Sequence, residues 1–151
     1  MQKIKDKNNM SYYLSSYILI LNKSHHTFVN PYLKEKNLSY NQYELILHIY
    51  RDEGSIQRKI ASDYGIDKCG ASRSLRLLED KELIIKKIDD NNRRSYKLFL
   101  TEKGRNVVED IIEKEIQWEN YICEKMNIEK EKLFKILNKA CIGSLDLIKN
   151  D

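Results

Sequence analysis

Leu14, Ile18, Leu21, His25 and Phe28 recur in alternating steps of four and three, which places them along one stripe of a helix. Pro31 is expected to stop or kink that helix, because proline has no N–H to continue the ladder. Ser39 followed by Gln42 has capping-box spacing, ahead of a second helix that carries Tyr43, Ile46, Leu47 and Tyr50 and ends at Gly54. Ser55 is placed as the N-cap of a short third helix, with Ile56, Ile60, Ala61 and Tyr64 inward and Gly65 closing it. Asp67 caps a fourth. There Ala71, Leu75 and Leu78 share one side, and Lys68, Ser72, Arg73 and Arg76 fall largely elsewhere.

Leu83 to Ile88 is apolar and β-branched, and Tyr96 to Leu100 alternates, so the two segments pair as a hairpin across the turn formers of residues 89–94. Thr101 caps a long final helical region carrying Val108, Ile111, Ile112, Ile116 and Ile122, which breaks near Asn127 and resumes with Leu133, Ile136, Leu137, Ala140, Ser144, Leu145 and Ile148. Two short helices, a hairpin and a helix start form a winged helix-turn-helix. The expected fold is mostly α, with a first segment at 1–38, the winged unit at 39–105 and terminal helices at 106–151. The apolar stripes of the flanking helices need cover, and the simplest cover is a second copy of the chain; an intramolecular bundle is the alternative.

Charge sharpens this picture through its distribution. The net charge is +4 over 151 residues, but residues 55–105 hold thirteen Lys/Arg against eight Asp/Glu, and 106–151 hold seven against ten. A basic middle and an acidic tail fit a chain that turns one surface toward a polyanion, here double-stranded DNA. Cys69, Cys123 and Cys141 form no CxxC pair and no disulfide framework, which points to a reducing compartment. The apolar run near the start lacks a cleavage site and the length to cross a bilayer, so the expectation is a soluble cytoplasmic protein without membrane association. No catalytic triad arrangement, phosphate-cradling glycine loop or metal signature is present in the sequence, and neither an enzyme nor a cofactor is expected.

Three segments in order, LSYNQYELILHI from Leu38, SLRLLEDKELI from Ser74 and LFLTEKGR from Leu98, resemble the MarR (multiple antibiotic resistance regulator) family of transcription regulators. The order of elements is similar over nearly the whole chain, and the specific part runs from Leu38 to Arg105. Two positions depart from the family pattern. Its frequent Asp-x-Arg at the wing tip is Asn92-Arg93-Arg94 here, leaving Asp89 or Asp90 to orient Arg94, and its glycine before the first wing strand is Glu82. The resemblance implies a homodimer on a pseudo-palindromic operator, usually a repressor released by a small molecule, metal or oxidant.

The residues support the DNA-binding half independently. Lys68, Gly70, Ser72 and Arg73 sit where a recognition helix would enter the major groove, with Arg73 suited to guanine and Lys68 and Arg76 to phosphates. Ser55, Gln57 and Arg58 would face the backbone at a helix start, or else serve as a cap and a solvated face. By family position Arg94 is expected in the minor groove and Arg93 on the phosphate wall. Tyr13, Tyr17, His25 and Tyr43, with Tyr12 and Phe28, are a candidate effector cleft, although core packing explains them equally. The histidines match no chelating pair, so no metal is expected. Cys69 is either a redox switch or a small residue on the helix, while Cys123 and Cys141 read as packing. A reading of another class is a winged-helix protein-interaction module that has lost specific DNA binding.

Overall fold

The computed structural model describes residues 13–63, 68–89 and 92–149, and within them the side chains of 61–63, 68, 93, 94 and 149 are not described. The chain divides into two compact units, 1–107 and 108–151. In the first, α1 spans Leu14–Glu35, α2 Tyr40–Arg51, α3 Gln57–Asp63 and α4 Lys68–Asp80, followed by β1 (Ile84–Asp89) and β2 (Asn92–Leu100). Helix α5 (Glu102–Met126) runs from the first unit into the second, which ends with α6 (Lys130–Lys149). The chain is mostly helical with one small sheet, as expected of a winged helix-turn-helix.

The core lies where α2 meets α4. Leu45, Ile46, Ile49, Leu75 and Leu78 are fully buried, and Ile84 and Leu98 of the sheet join the buried set. Burying each such side chain contributes about 1.5–3 kcal/mol. The Ser39 capping box forms as expected: the Gln42 N–H donates to Ser39 Oγ at 3.3 Å, and the Ser39 N–H donates to Gln42 Oε1 at 3.0 Å. Tyr43, Ile46 and Leu47 of α2 are buried and Tyr50 is exposed.

Helix α1 neither stops nor ends near Pro31 but runs four residues beyond it. Buried Val29 and Leu33 flank the proline and hold the last turn down, which outweighs one lost hydrogen bond. Of its stripe, Leu14, Ile18, Leu21 and Phe28 are exposed in the single chain. Three helices end alike, with a left-handed residue and a 6→1 hydrogen bond: Leu38 N–H to Leu33 O, Leu83 N–H to Leu78 O and Ile128 N–H to Cys123 O. The left-handed residues are Asn37, Glu82 (φ 59°) and Asn127. Asparagine tolerates this backbone; glutamate at 82 strains where glycine would not.

Ser55 does not cap α3. The helix starts at Gln57, with the Ile60 N–H donating to Ile56 O, and the Ser55 hydroxyl turns back to donate to Asp52. Residues 54–56 act instead as an extra edge on the sheet. The Gly54 N–H donates to Leu98 O at 2.8 Å, the Leu98 N–H to Ser55 O at 3.1 Å, and Ile56 bridges Lys97. The Leu100 N–H donates to Glu53 Oε1 at 2.9 Å, and Arg105 binds the other oxygen at 2.6 Å. Tyr64, expected inward on the third helix, Gly65, expected to close it, and Asp67, expected to cap the fourth, lie outside the described residues.

The strands pair antiparallel from Ile84↔Leu100 to Ile88↔Tyr96, and then Asp89 pairs with Asn92. Arg93, Arg94 and Ser95 therefore bulge from the ladder within β2, rather than standing in a six-residue turn. Thr101 caps α5 as expected, accepting from the Gly104 N–H at 2.9 Å and donating to Glu82 O at 2.7 Å. A Cβ on Gly104 would stand 2.0 Å from the Leu83 carbonyl oxygen, so only glycine fits there. In α5, Val108, Ile111 and Cys123 are buried. In α6 the apolar residues Phe134, Leu137, Leu145 and Ile148 are exposed, and so is Cys141, which packs in no core.

Candidate nucleic-acid interface

Helices α3 and α4 pack together, and α4 also packs on α2 and β1. Buried Ala71, Leu75 and Leu78 fix the rotation of α4, because a helix pinned along one stripe turns its other positions outward. Ser72, Arg73 and Arg76 are exposed on that outward surface, with Cys69 beside them; Gly70 is half-buried. The Gln57 Nε2 donates to Ser72 Oγ at 2.6 Å, tying the start of α3 to the first turns of α4. Arg58 is exposed one residue on. Lys68 begins α4, and Arg93 and Arg94 lie in the β2 bulge; the side chains of these three are outside the described residues.

Ser55 leaves the set of exposed donors. It is buried, and its hydroxyl is committed to Asp52, whose carboxylate also takes Lys59 at 2.5 Å. These two hydrogen bonds, Lys59 first and Ser55 second, hold the Asp52 carboxyl below its ordinary value. The pair at Asp52 fixes the entry into α3 through residues three and seven positions on.

The wing is braced by charge. Lys86 donates to Glu79 at 2.6 Å, joining β1 to α4, and Lys97 pairs with Asp89 at 3.1 Å near the tip. Ser95 donates to Asp89 Oδ2 at 3.4 Å. The candidate orienting carboxylate at Asp89 is thus engaged by Lys97 and Ser95, while Asp90 lies outside the described residues. Lys87 lies over the Phe99 ring, 4.9 Å from its centroid, and adds an exposed cation to the wing that the sequence reading did not single out. Its signal was the alternation of β1, which sends Lys86 and Lys87 to opposite faces.

The candidate effector residues divide. His25 and Tyr43 come together, with His25 Nδ1 3.3 Å from Tyr40 Oη and Nε2 3.5 Å from Tyr43 Oη. His26 packs its ring 4.5 Å from that of Tyr40. Burial pushes the neighbouring Glu44 carboxyl upward, and the two histidines partly oppose this. Tyr13 and Tyr17 instead sit on the exposed start of α1.

The MarR family model matches residues 38–96. The HTH-type transcriptional regulator YybA of Bacillus subtilis is 37% identical over 78 residues, 52% of this chain, and the match spans about half (52%) of that protein. The HTH-type transcriptional regulator BilQ of Clostridioides difficile is 27% identical over 135 residues, 88% of this chain and 91% of BilQ. Among solved structures, MarR superposes with a TM-score of 0.82 at 27% identity, covering 94% of this chain and 97% of MarR. A SlyA-like transcription regulator from Listeria monocytogenes gives 0.75 at 30%, covering 94% and 92%. The S. aureus MepR–DNA complex shares the fold, with a TM-score of 0.74 at 20% identity over 89% of this chain and 99% of MepR.

Proposed function

We propose, from the premise that this chain belongs to the MarR family of transcription regulators and is not an enzyme, that it is a homodimeric repressor binding a pseudo-palindromic operator and released by a small-molecule or oxidant signal. The observation that carries the DNA-binding part is the surface of α4: Ser72, Arg73 and Arg76 are exposed on a helix whose opposite side is locked by Ala71, Leu75 and Leu78. Arg73 reads guanine O6/N7 in the major groove, and Gln57 holds the Ser72 hydroxyl in place beside it. Arg58, Lys68 and Arg76 neutralise phosphates; Gly70 lets the backbone approach. Arg94 enters the minor groove and Arg93 meets its phosphate wall. MepR, which shares the fold, has been solved in complex with DNA, which supports DNA binding as such.

The dimer reading assigns 1–38 and 106–151 to association and rests on the exposed apolar faces of α1 and, separately, of α6. A contiguous apolar surface of that kind on a solvated chain calls for a partner. Pocket residues Tyr13 and Tyr17 belong to the same α1 face, so an effector there would be held with the second copy's help. The S. aureus MarR complex with salicylate and kanamycin supports small-molecule control in proteins of this fold.

Fluorescence anisotropy with DNA from upstream of the protein's own gene, at two salt concentrations, tests the reading. The parent protein is expected to bind saturably and selectively. Arg76→Ala should weaken binding to all sequences and reduce the log–log salt slope by roughly 0.9 per lost phosphate contact. Arg73→Ala should lower selectivity by about 1–3 kcal/mol at one base pair. Weak, unselective binding by the parent would favour a protein-interaction module instead. Sedimentation equilibrium of Ile18→Glu and Leu145→Glu checks the dimer, which each charge should dissociate.

A further inference from the structure

At the corner between α1 and α2, a cleft of about 560 Å³ is lined by Lys34, Leu38, Ser39 and Gln42 on one side and by Leu77 and Lys81, at the end of α4, on the other. Its volume falls within the roughly 300–1,000 Å³ range of small-molecule sites. The chemistry of its walls is one-sided. Two lysines line it and no carboxylate does; the apolar wall is two leucines, and no aromatic ring is among the lining residues. Leu77 is 43% exposed, an uncovered apolar side chain beside a cation.

Lys81 is the cation that the fold has already drawn inward. Its ammonium donates to the Asn37 carbonyl, at the left-handed end of α1, and to Gln42 Oε1 at 2.9 Å, inside the α2 capping box. An ammonium has three N–H donors, so one remains for a ligand. Burial holds its pKa below the ordinary lysine value, a penalty that a bound anion would relieve. Ser39 Oγ accepts from the Gln42 N–H, leaving its hydroxyl hydrogen to donate.

We propose that this cleft binds a small aliphatic carboxylate, with its oxygens on the Lys81 and Lys34 ammonium groups and the Ser39 hydroxyl and its hydrocarbon body on Leu38 and Leu77. Two leucines without a ring favour an aliphatic body over an aromatic one. The carboxylate takes the remaining N–H of Lys81, whose other two tie the end of α4 to Asn37 and Gln42 at the α1–α2 corner. Occupancy is therefore felt by α4, and its effect on DNA rests on the regulator reading above.

The test is a titration of the full chain with octanoate, followed by ¹H–¹⁵N NMR, with acetate and octan-1-ol as controls. Octanoate should give saturable shifts at the Leu38, Ser39, Leu77 and Lys81 amides. Acetate, lacking the methylenes, should bind more than about tenfold more weakly. Octanol, lacking the charge, should also bind more weakly. Lys34→Gln, at an exposed position, should cost about threefold in affinity, and Lys81→Met on the order of tenfold. Octanol binding as tightly as octanoate, shifts confined to the exposed faces of α1 or α6, or parent-like binding by Lys34→Gln and Lys81→Met would each overturn the proposal. The titration needs no DNA, so its failure and a failure of DNA binding are separately visible.

Discussion

Helices α4 and α6 carry the same kind of amphipathic repeat and meet opposite fates. Leu75 and Leu78 of α4 are fully buried between α2, α3 and β1, whereas Leu145, Leu147 and Ile148 of α6 are 55–73% exposed. Periodicity therefore states that a face is to be covered, and the fold decides whether the chain covers it. In α4 the coverage also turns Ser72, Arg73 and Arg76 outward, so the stability of the fold and the exposure of these side chains depend on the same buried stripe. In α6 the uncovered face contributes little to the single chain and is the surface assigned to a second copy.

The sharpest way to break this contrast is to truncate one leucine in each helix. Leu75→Ala should cost about 3 kcal/mol, while Leu147→Ala should stay within about 0.5 kcal/mol, in urea unfolding at a protein concentration low enough that the single chain is read. Equal losses would dissolve the distinction. Gly104→Ala should be next, at about 2 kcal/mol, because the new methyl meets the Leu83 carbonyl and the backbone must shift. A change in the opposite direction is expected at the end of α4: Glu82→Gly should gain about 1 kcal/mol by removing a left-handed side-chain penalty, measured by the thermal midpoint.

The smallest effect is a pH dependence at Glu53. Burial alone would raise its carboxyl, but hydrogen bonds from the Leu100 N–H and the Arg105 guanidinium more than offset this and hold it below the ordinary 4.5. A depressed folded value means that the carboxylate stabilises the fold above the unfolded value and that this is lost as pH falls through the folded one. Unfolding measured downward from pH 5 should therefore show a steeper decline than in Glu53→Gln. A variant with the parent's slope would remove Glu53 as its source.

Local chemistry was the legible part of this chain. The Ser39 box, the Thr101 cap, the hairpin and the break near Asn127 depend on residues a few positions apart, and each was readable. Ser55 was misread because its partner is Asp52 behind it, not the helix ahead. The ties Lys81 to Gln42, Glu53 to Leu100 and Arg105 to Glu53 join residues 39, 47 and 52 positions apart, which no window of periodicity spans. The candidate site was legible as far as α4, where one buried stripe predicts its opposite face. The wing tip was not, because a register shift placed Arg93 and Arg94 in a bulge. Pro31 and Cys141 show the same limit in packing: buried neighbours carry α1 through a proline, and an apolar stretch of α6 leaves its cysteine in water.

The extra edge formed by residues 53–56 bears on how this protein avoids self-templating. A two-stranded sheet ordinarily presents two rows of backbone groups on which a foreign strand can add. Here Gly54, Ser55 and the Glu53 carboxylate take the backbone groups of Leu98 and Leu100 in β2, and consecutive lysines stand at 86 and 87 of β1. The wing thus carries already bonded backbone along β2 and an exposed Lys87 charge on β1, both of which disfavour the addition of a strand like itself.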